Sequence, residues 1–276
     1  MSGIPFVKMH GAANDFVVLD HREPFLPEPA DALLRRICDR RRGVGADGVL
    51  LLERDPELDF AMRYHNADGG RAEFCGNGAR CLARFALERG LGRGGVVRFR
   101  SGAGVQEAWH TPDGAITLHF GQVAAPGGPE TVETAGREFT GREVRVGVPH
   151  FVVEVAQVGL VPVAQWGAAL RRHAHFAPAG TNVDFVARVS AVDGPGPARV
   201  AMRTYERGVE AETLACGSGA IASALWAAGV GARSPVEILT AGGDVLVVSF
   251  EAVGSGYDVR LSGPAEVSFA GTWEQP

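Results

Sequence analysis

Cysteine is scarce in this chain, with four in 276 residues, and that excludes the dense disulfide framework of a small secreted domain. No CxxC pair and no His-x-x-x-His occurs, so the spacings typical of a zinc site are missing. His173 and His175 flank one alanine ahead of Pro178 and read as loop or surface residues rather than metal ligands. No apolar run approaches the ~18 residues of a membrane span. The opening Met-Ser-Gly-Ile-Pro-Phe-Val-Lys does not have the pattern of a secretory signal, and a cytoplasmic location is expected. The net charge is only −5, which leaves no electrostatic footprint for nucleic acid. The one basic cluster, residues 35–42, falls in a predicted amphipathic helix and reads as a solvated face.

Glycine and proline are plentiful by contrast, at 38 and 16, as expected for many short strands joined by tight turns. A chain of this length is long for one core, and two domains are the natural division. Helices are predicted at 30–41, 77–89, 162–172 and 218–228. Strands are predicted at 4–9, 15–20, 48–53, 59–65, 96–100, 104–110, 115–120, 131–134, 142–146, 151–156, 183–189, 199–205, 235–239, 244–250 and 257–261. The Pro/Gly stretch 124–129 separates the halves, giving domains 1–123 and 124–262, with 263–276 completing the first.

The most informative feature is a pair of cysteines in matching settings: Phe74-Cys75-Gly-Asn-Gly-Ala-Arg80 and Ala215-Cys216-Gly-Ser-Gly-Ala-Ile221, 141 residues apart. Each precedes a glycine-polar-glycine turn and a helix-forming run. A thiol at a helix N-terminus ionises more easily, and the turn's N–H groups can hold an anion. Two such sites facing each other would place matched acid and base groups around one carboxylate. Other anchors keep the same order: Phe16-Val-Val18 with Phe151-Val-Val153, Asp47 with Asp184, and Ser101–Gly104 with Thr240–Gly243. The offsets of 135, 137 and 139 argue for an internal duplication. Each half then becomes many strands around one central helix. The second of those helices is apolar on all sides and hence buried.

Two motifs mislead. Gly43-Val-Gly45-Ala-Asp-Gly48 fits the GxGxxG pattern of dinucleotide turns, but it follows a helix and precedes a strand, the reverse of the order that fingerprint needs. Gly217-Ser-Gly219 lacks the first glycine of a GxSxG elbow.

Polar residues collect in segments that end strands: Asn14-Asp15, Asn66-Ala-Asp68, Pro149-His150, Thr181-Asn182 and Glu206-Arg207-Gly208. With the two cysteine turns, these segments resemble the diaminopimelate epimerases. The matching stretches are Lys8-Met-His-Gly-Ala-Ala-Asn14-Asp-Phe, Gly43-Val-Gly-Ala-Asp47, Asn66-Ala-Asp68, Cys75-Gly-Asn-Gly-Ala-Arg80, Pro149-His150, Gly180-Thr-Asn182-Val and Glu206-Arg-Gly208 leading to Glu212-Thr-Leu-Ala-Cys216-Gly-Ser-Gly219. The resemblance implies an α+β fold of two pseudo-symmetric domains, each a strand-built barrel around a central helix, with the active site in the cleft between them. It implies epimerisation of LL- to meso-diaminopimelate for lysine and peptidoglycan precursors, without pyridoxal phosphate or metal, by a homodimer. Cys75 and Cys216 would be the catalytic thiolate and thiol, the base being set by the stereoisomer that enters, with Glu206 influencing Cys216 and His150 playing the matching part beside Cys75. The amides of Gly76, Asn77, Gly217 and Ser218 would hold the reacting carboxylate. Asn14, Asn66, Asn182, Glu206 and Arg207 would fix the rest of the substrate, Arg207 on the distal carboxylate.

The residues suit that chemistry. An amino-acid α-proton is very weakly acidic, so its removal without a cofactor needs a close base, stabilised charge and excluded water. Three positions depart from the family pattern: Val148 before Pro-His, Gly48, and the one-residue-longer run Gly208–Glu212. Two other readings compete, a two-cysteine racemase of another amino acid such as proline, and a catalytically idle duplicated barrel that only binds.

Overall fold

The computed structural model describes residues 3–190 and 196–274. Contacts divide the chain into two compact units, residues 1–119 with 263–276 and residues 120–262. In chain order the first unit begins β1 (Ile4–Gly11), β2 (Asn14–Asp20), α1 (Asp31–Cys38), β3 (Gly48–Glu53), β4 (Phe60–Asn66) and β5 (Arg71–Ala72). It continues with α2 (Gly76–Leu87), β6 (Val96–Ser101), β7 (Gly104–His110) and β8 (Ile116–Ala124), whose last residues belong to the second unit. Next come β9 (Pro129–Thr134), β10 (Arg137–Val146), β11 (Val148–Glu154), α3 (Val163–Arg171), β12 (Asn182–Arg188), β13 (Ala198–Glu206) and β14 (Ala211–Thr213). The remaining elements are α4 (Gly217–Ala228), β15 (Val236–Leu239), β16 (Val245–Val253), β17 (Gly256–Gly263) and β18 (Glu266–Trp273), the last belonging to the first unit.

The two units pair their strands in one order. β1–β2 is antiparallel, β2–β3 parallel, β3–β4 antiparallel and β4–β6 parallel, and antiparallel β6–β7–β8 follows. β10–β11, β11–β12, β12–β13, β13–β15 and β15–β16–β17 repeat that sequence of senses. α1 and α3 each connect the parallel pair. α2 and α4 each follow a very short strand, β5 or β14. The outer neighbour of β10 is β9, which precedes it in the chain, whereas the outer neighbour of β1 is β18.

Register corrects two of the sequence anchors. Val17 and Val49 are cross-strand partners and pack in the core beneath α1; Phe151 and Val183 are cross-strand partners in the core beneath α3. Val17 therefore corresponds to Phe151, one residue from the sequence alignment, and Leu50 rather than Asp47 corresponds to Asp184. A one-residue slip exchanges the two faces of a strand, and a run of apolar residues such as Phe16-Val-Val18 carries nothing that marks its face. The Ser101–Gly104 and Thr240–Gly243 turns and the two cysteines hold the equivalence given by sequence.

Alternation along each strand sends one set of side chains outward to α1 or α3 and the other inward to α2 or α4. α4 is buried on every side, from Ala220 to Ala227. Removing Ile221, Leu225 and Trp226 from water is worth about 1.5–3 kcal/mol each and makes α4 the core of its unit. The basic cluster is not simply a solvated face. α1 stops at Cys38, and Arg40 in the following turn forks onto Asp15 at 2.8 and 3.0 Å and reaches Asp47 at 2.7 Å. The GxGxxG segment lies between α1 and β3, the order that disfavours a nucleotide turn.

Candidate active site

In the first unit Cys75 is the N-cap of α2, in extended conformation, and its carbonyl accepts the first helical bond from Ala79 at 2.8 Å. Its thiol donates to Asn14 Oδ1 at 3.5 Å, and Asn77 Nδ2 donates to the same oxygen at 3.3 Å. Asn14 opens β2 immediately after Ala12 and Ala13, whose φ values of 54° and 63° lie in the left-handed region. That conformation costs an alanine roughly 1–2 kcal/mol. The strained turn aims Asn14 at Cys75, and Gly11 is needed beside it because a Cβ there would lie 2.8 Å from the Asn77 carbonyl.

The Asn14 amide is held from behind. Its Nδ2 donates to Asp47 Oδ2 at 2.7 Å, so Oδ1 is left to face the thiol. Arg40 ties Asp47 to Asp15, and Lys8, the single lysine of the chain, reaches Asp15 at 2.6 Å. Burial pushes the Asp15 carboxyl up, but the hydrogen bonds from Arg40 and Lys8 outweigh it and hold the group well below the usual carboxylate range.

In the second unit Cys216 caps α4, and Gly219 N–H donates to its sulfur at 3.4 Å. Ser218 Oγ lies 3.5 Å from the same sulfur and 3.0 Å from His150 Nε2. His150 Nδ1 lies 2.7 Å from Asp184 Oδ2, and Thr204 donates to Asp184 Oδ1 at 2.7 Å. His150 and Asp184 are fully buried. Asn182 donates to the Pro149 carbonyl at 3.0 Å and accepts from the Arg207 backbone N–H at 2.8 Å, fixing the turn that carries Arg207. Glu206 accepts from Thr213 at 2.6 Å and is also hydrogen-bonded to Cys216.

Burial drives the Cys216 thiol well above its ordinary pKa, and the charges of Glu206 and Asp184 add to the effect. Bonds from Ser218 and Gly219 oppose it without reversing it. Burial also raises the Glu206 carboxyl, partly offset by Thr213 and Cys216.

Beneath the helix N-termini the two units differ in kind. Under α2, a Cβ at Gly78 would meet Leu50 at 3.0 Å and Phe16 at 3.4 Å, with the Tyr64 ring edge-on to Phe16. Under α4, a Cβ at Gly219 would meet Asp184 Oδ1 at 2.6 Å and Thr204 Oγ1 at 3.2 Å. By strand register Phe16, Leu50 and Tyr64 correspond to His150, Asp184 and Thr204.

Of the residues singled out in the sequence, the structure joins Cys75, Asn14 and Asn77 in one unit, with Gly76 in the same first turn. It joins Cys216, Ser218, His150, Asn182, Glu206 and the Arg207 backbone in the other, with Gly217 beside them. Asn66 closes β4 and is exposed. Gly48 has a structural reason: a Cβ there would fall 2.5 Å from the His65 carbonyl and 2.7 Å from the Tyr64 ring. Sequence reading missed the functions open to Asp184, Thr204, Thr213, Asp47 and Arg40. The signal for Asp184 is an acid set between Val183 and Phe185 in a strand buried on both faces.

Cys38 and Cys81 are buried packing residues. Burial pushes each thiol up to about 12. Native protein treated with iodoacetamide at pH 8 is therefore expected to keep both unmodified, with alkylation of Cys38 and Cys81 appearing by mass spectrometry only after unfolding.

Comparison with known structures gives the fold first. A probable proline racemase from Agrobacterium radiobacter superposes with a TM-score of 0.71 at 18% identity, covering 99% of this chain and 92% of that one. A Bacillus anthracis phenazine biosynthesis protein of the PhzF family gives 0.70 at 12% identity, covering 99% of each. The fold is thus the duplicated α+β architecture that these proteins share. The family profile described as "Diaminopimelate epimerase" matches residues 6–125 and 143–264. The diaminopimelate epimerase of Aquifex aeolicus is 44% identical over 258 residues, 89% of each chain, and that of Methanocella arvoryzae is 37% identical over 98% of this chain and 97% of its own. The chain belongs to the diaminopimelate epimerase family, and with it to the isomerases.

Proposed function

We propose that the chain epimerises LL-diaminopimelate to meso-diaminopimelate through Cys75 and Cys216, one taking the α-proton as thiolate while the other returns a proton as thiol on the opposite face. The observation that carries this reading is the pair of cysteines at N-caps of central helices, each with its sulfur in a hydrogen-bonded polar setting. The first-turn amides of Gly76, Asn77, Gly217 and Ser218 bind the reacting carboxylate and stabilise the charge that develops there. Asn14, Asn66 and Asn182 position the substrate. Glu206 binds the reacting amine and, with His150, sets the protonation of the thiols. The enzyme works as a cytoplasmic homodimer without pyridoxal phosphate or metal. Among the described residues no helix is long and apolar enough to cross a membrane.

Arg207 reads the distal carboxylate. Among the described residues its guanidinium forms no ion pair, in contrast to Arg203, which forks onto Glu212 at 2.6 and 2.7 Å. A bidentate charge-assisted contact is worth roughly 1.5–3 kcal/mol, and lysine retains the charge without the planar fork.

The purified protein is expected to incorporate deuterium from solvent at the α-carbon of LL-diaminopimelate and to form the meso isomer. Proline given to the same enzyme is expected to stay unlabelled. Labelling of proline in place of diaminopimelate would establish the racemase alternative, and labelling of neither would favour a binding module. Arg207→Lys should lower kcat/KM for diaminopimelate at least about tenfold, with a much smaller loss on a monocarboxylate analogue of similar length. Equal losses on both would remove Arg207 from distal recognition.

A further inference from the structure

The duplication supplies an internal control for one buried cluster. The positions beneath the α2 N-terminus are filled by Phe16, Leu50 and Tyr64, so neither an acid nor an imidazole is needed to support the scaffold at this point. The equivalent positions beneath α4 are His150, Asp184 and Thr204, which are 0%, 0% and 1% exposed. Burying an acid and an imidazole where Phe16 and Leu50 suffice in the other unit costs stability. Such a cost is retained where the groups have a chemical role.

Their hydrogen bonds run in one line. Thr204 and His150 satisfy the two oxygens of Asp184, each at 2.7 Å. In the tautomer that carries hydrogen on Nδ1 and donates it to Asp184, Nε2 is the acceptor that faces Ser218 Oγ at 3.0 Å. Asn182 Nδ2, a donor, lies 3.5 Å from the same Nε2 and agrees with that tautomer. Ser218 Oγ then reaches Cys216 Sγ at 3.5 Å. Gly219 makes room for the arrangement, since any Cβ would strike Asp184.

We propose that Asp184, His150 and Ser218 form a proton relay serving Cys216, with Asp184 as the residue that positions it. The S–H bond of Cys216 breaks and its proton passes to Ser218 Oγ, while the hydroxyl proton of Ser218 passes to His150 Nε2. The products are a thiolate and an imidazolium, and Asp184 stays ionised against Nδ1. The reverse transfer restores the thiol. The relay thus converts Cys216 between its acid and base forms without water entering the buried site. It rests on the two-cysteine reading above and gives unit 2 a device that Phe16 and Leu50 of unit 1 cannot provide.

The charged groups acting on Cys216 are Glu206 from β13 and Asp184 from β12, and His150 from β11 reaches it only through Ser218. Two of these are acids, which makes the test one of sign. In a Cys75→Ser background Cys216 is the only thiol left besides the packing residues Cys38 and Cys81. Its thiolate is followed by ultraviolet absorbance and by pH-dependent alkylation. If Asp184 acts only as a nearby negative charge, Asp184→Asn lowers the Cys216 titration, and the relay is overturned. Through the relay the substitution has the opposite effect, because the asparagine amide donates to Nδ1 and leaves hydrogen on Nε2, which can no longer accept from Ser218. The expected result is an upward shift of at least about one pH unit, a tenfold loss of thiolate at fixed pH.

Ser218→Ala should shift the titration upward as well, and Ser218→Thr, which keeps the hydroxyl, should restore it. These two variants remain informative if Asp184→Asn fails to fold. Titration of Ser218→Ala like its parent would overturn the proposal. Neither measurement needs turnover, so a failure of the relay is distinct from a failure of the epimerase reading, which the deuterium assay on unmodified protein reports separately.

Discussion

Cys75→Ala and Cys216→Ala should each lower epimerisation of LL-diaminopimelate by about 10³-fold or more. A positioned acid or base contributes about 10²- to 10⁴-fold, and inversion needs both groups in the same turnover. Loss of either one therefore leaves no path across the reacting centre. Folding should be preserved, since each cysteine is a helix N-cap whose helical bond is made by its backbone carbonyl, to Ala79 or Ala220, at 2.8 and 2.9 Å. Serine variants separate the two faces. With Cys216→Ser, Cys75 can still remove and return a proton on its own side, so slow solvent exchange without inversion is expected. The measurements are polarimetry for inversion and NMR for α-deuteration. Near-normal inversion by either alanine variant would sink the two-base mechanism.

The second large effect sets one substitution against itself in the two units. Gly219→Ala should be severely damaging and Gly78→Ala nearly neutral, although alanine is the better helix former at both by about 0.5–1 kcal/mol. At Gly78 the new methyl would lie 3.0 Å from a Leu50 methyl, a flexible end that can move a few tenths of an ångström. At Gly219 it would lie 2.6 Å from Asp184 Oδ1, an oxygen of a carboxylate held on both sides by Thr204 and His150. Moving Asp184 breaks at least one buried bond to a charged group, worth roughly 1.5–3 kcal/mol. For about 2 kcal/mol the expected fall in Tm is roughly 4–8 °C. Activity should fall at least about tenfold, because His150 loses its anchor. Calorimetry and steady-state kinetics on both variants provide the check. Equal effects at the two glycines would mean that the Asp184 cluster is not tightly packed against α4.

How much of this was legible in sequence depended on whether a feature is local. The cysteine N-caps were, because a polar-glycine turn followed by an apolar run is a complete helix start within a few residues. The duplication was also legible, but its register was not. Val17 and Phe151 are equivalent because of the cores they face, and no local signal distinguishes the two faces of a strand buried on both sides. Asp184 was hidden for the same reason: in Val183-Asp184-Phe185 an acid reads as the solvent side of an alternating strand, whereas here both sides are covered. Arg40 reads as solvated among its arginine neighbours, since its partners Asp15 and Asp47 come together only through the β2–β3 pairing. β5 and β14, of two and three residues, are too short to show a period. β18 is largely exposed along its length and carries little apolar pattern.

That last strand has a consequence for how the protein is made on the ribosome. The partner of β1 is the last strand in the chain, and α2 reaches the same segment through Arg80 to the Pro264 carbonyl and Arg84 to the Ala265 carbonyl, at 3.4 and 2.6 Å. β9, which does the same job for β10, is instead synthesised just before it. The nascent chain can therefore complete the later unit first, while the earlier one waits with β1 as an open edge until β18 has been made. An unpaired edge is a template for wrong partners. The order of synthesis thus makes the first half of the chain, and not the second, the one most in need of a chaperone.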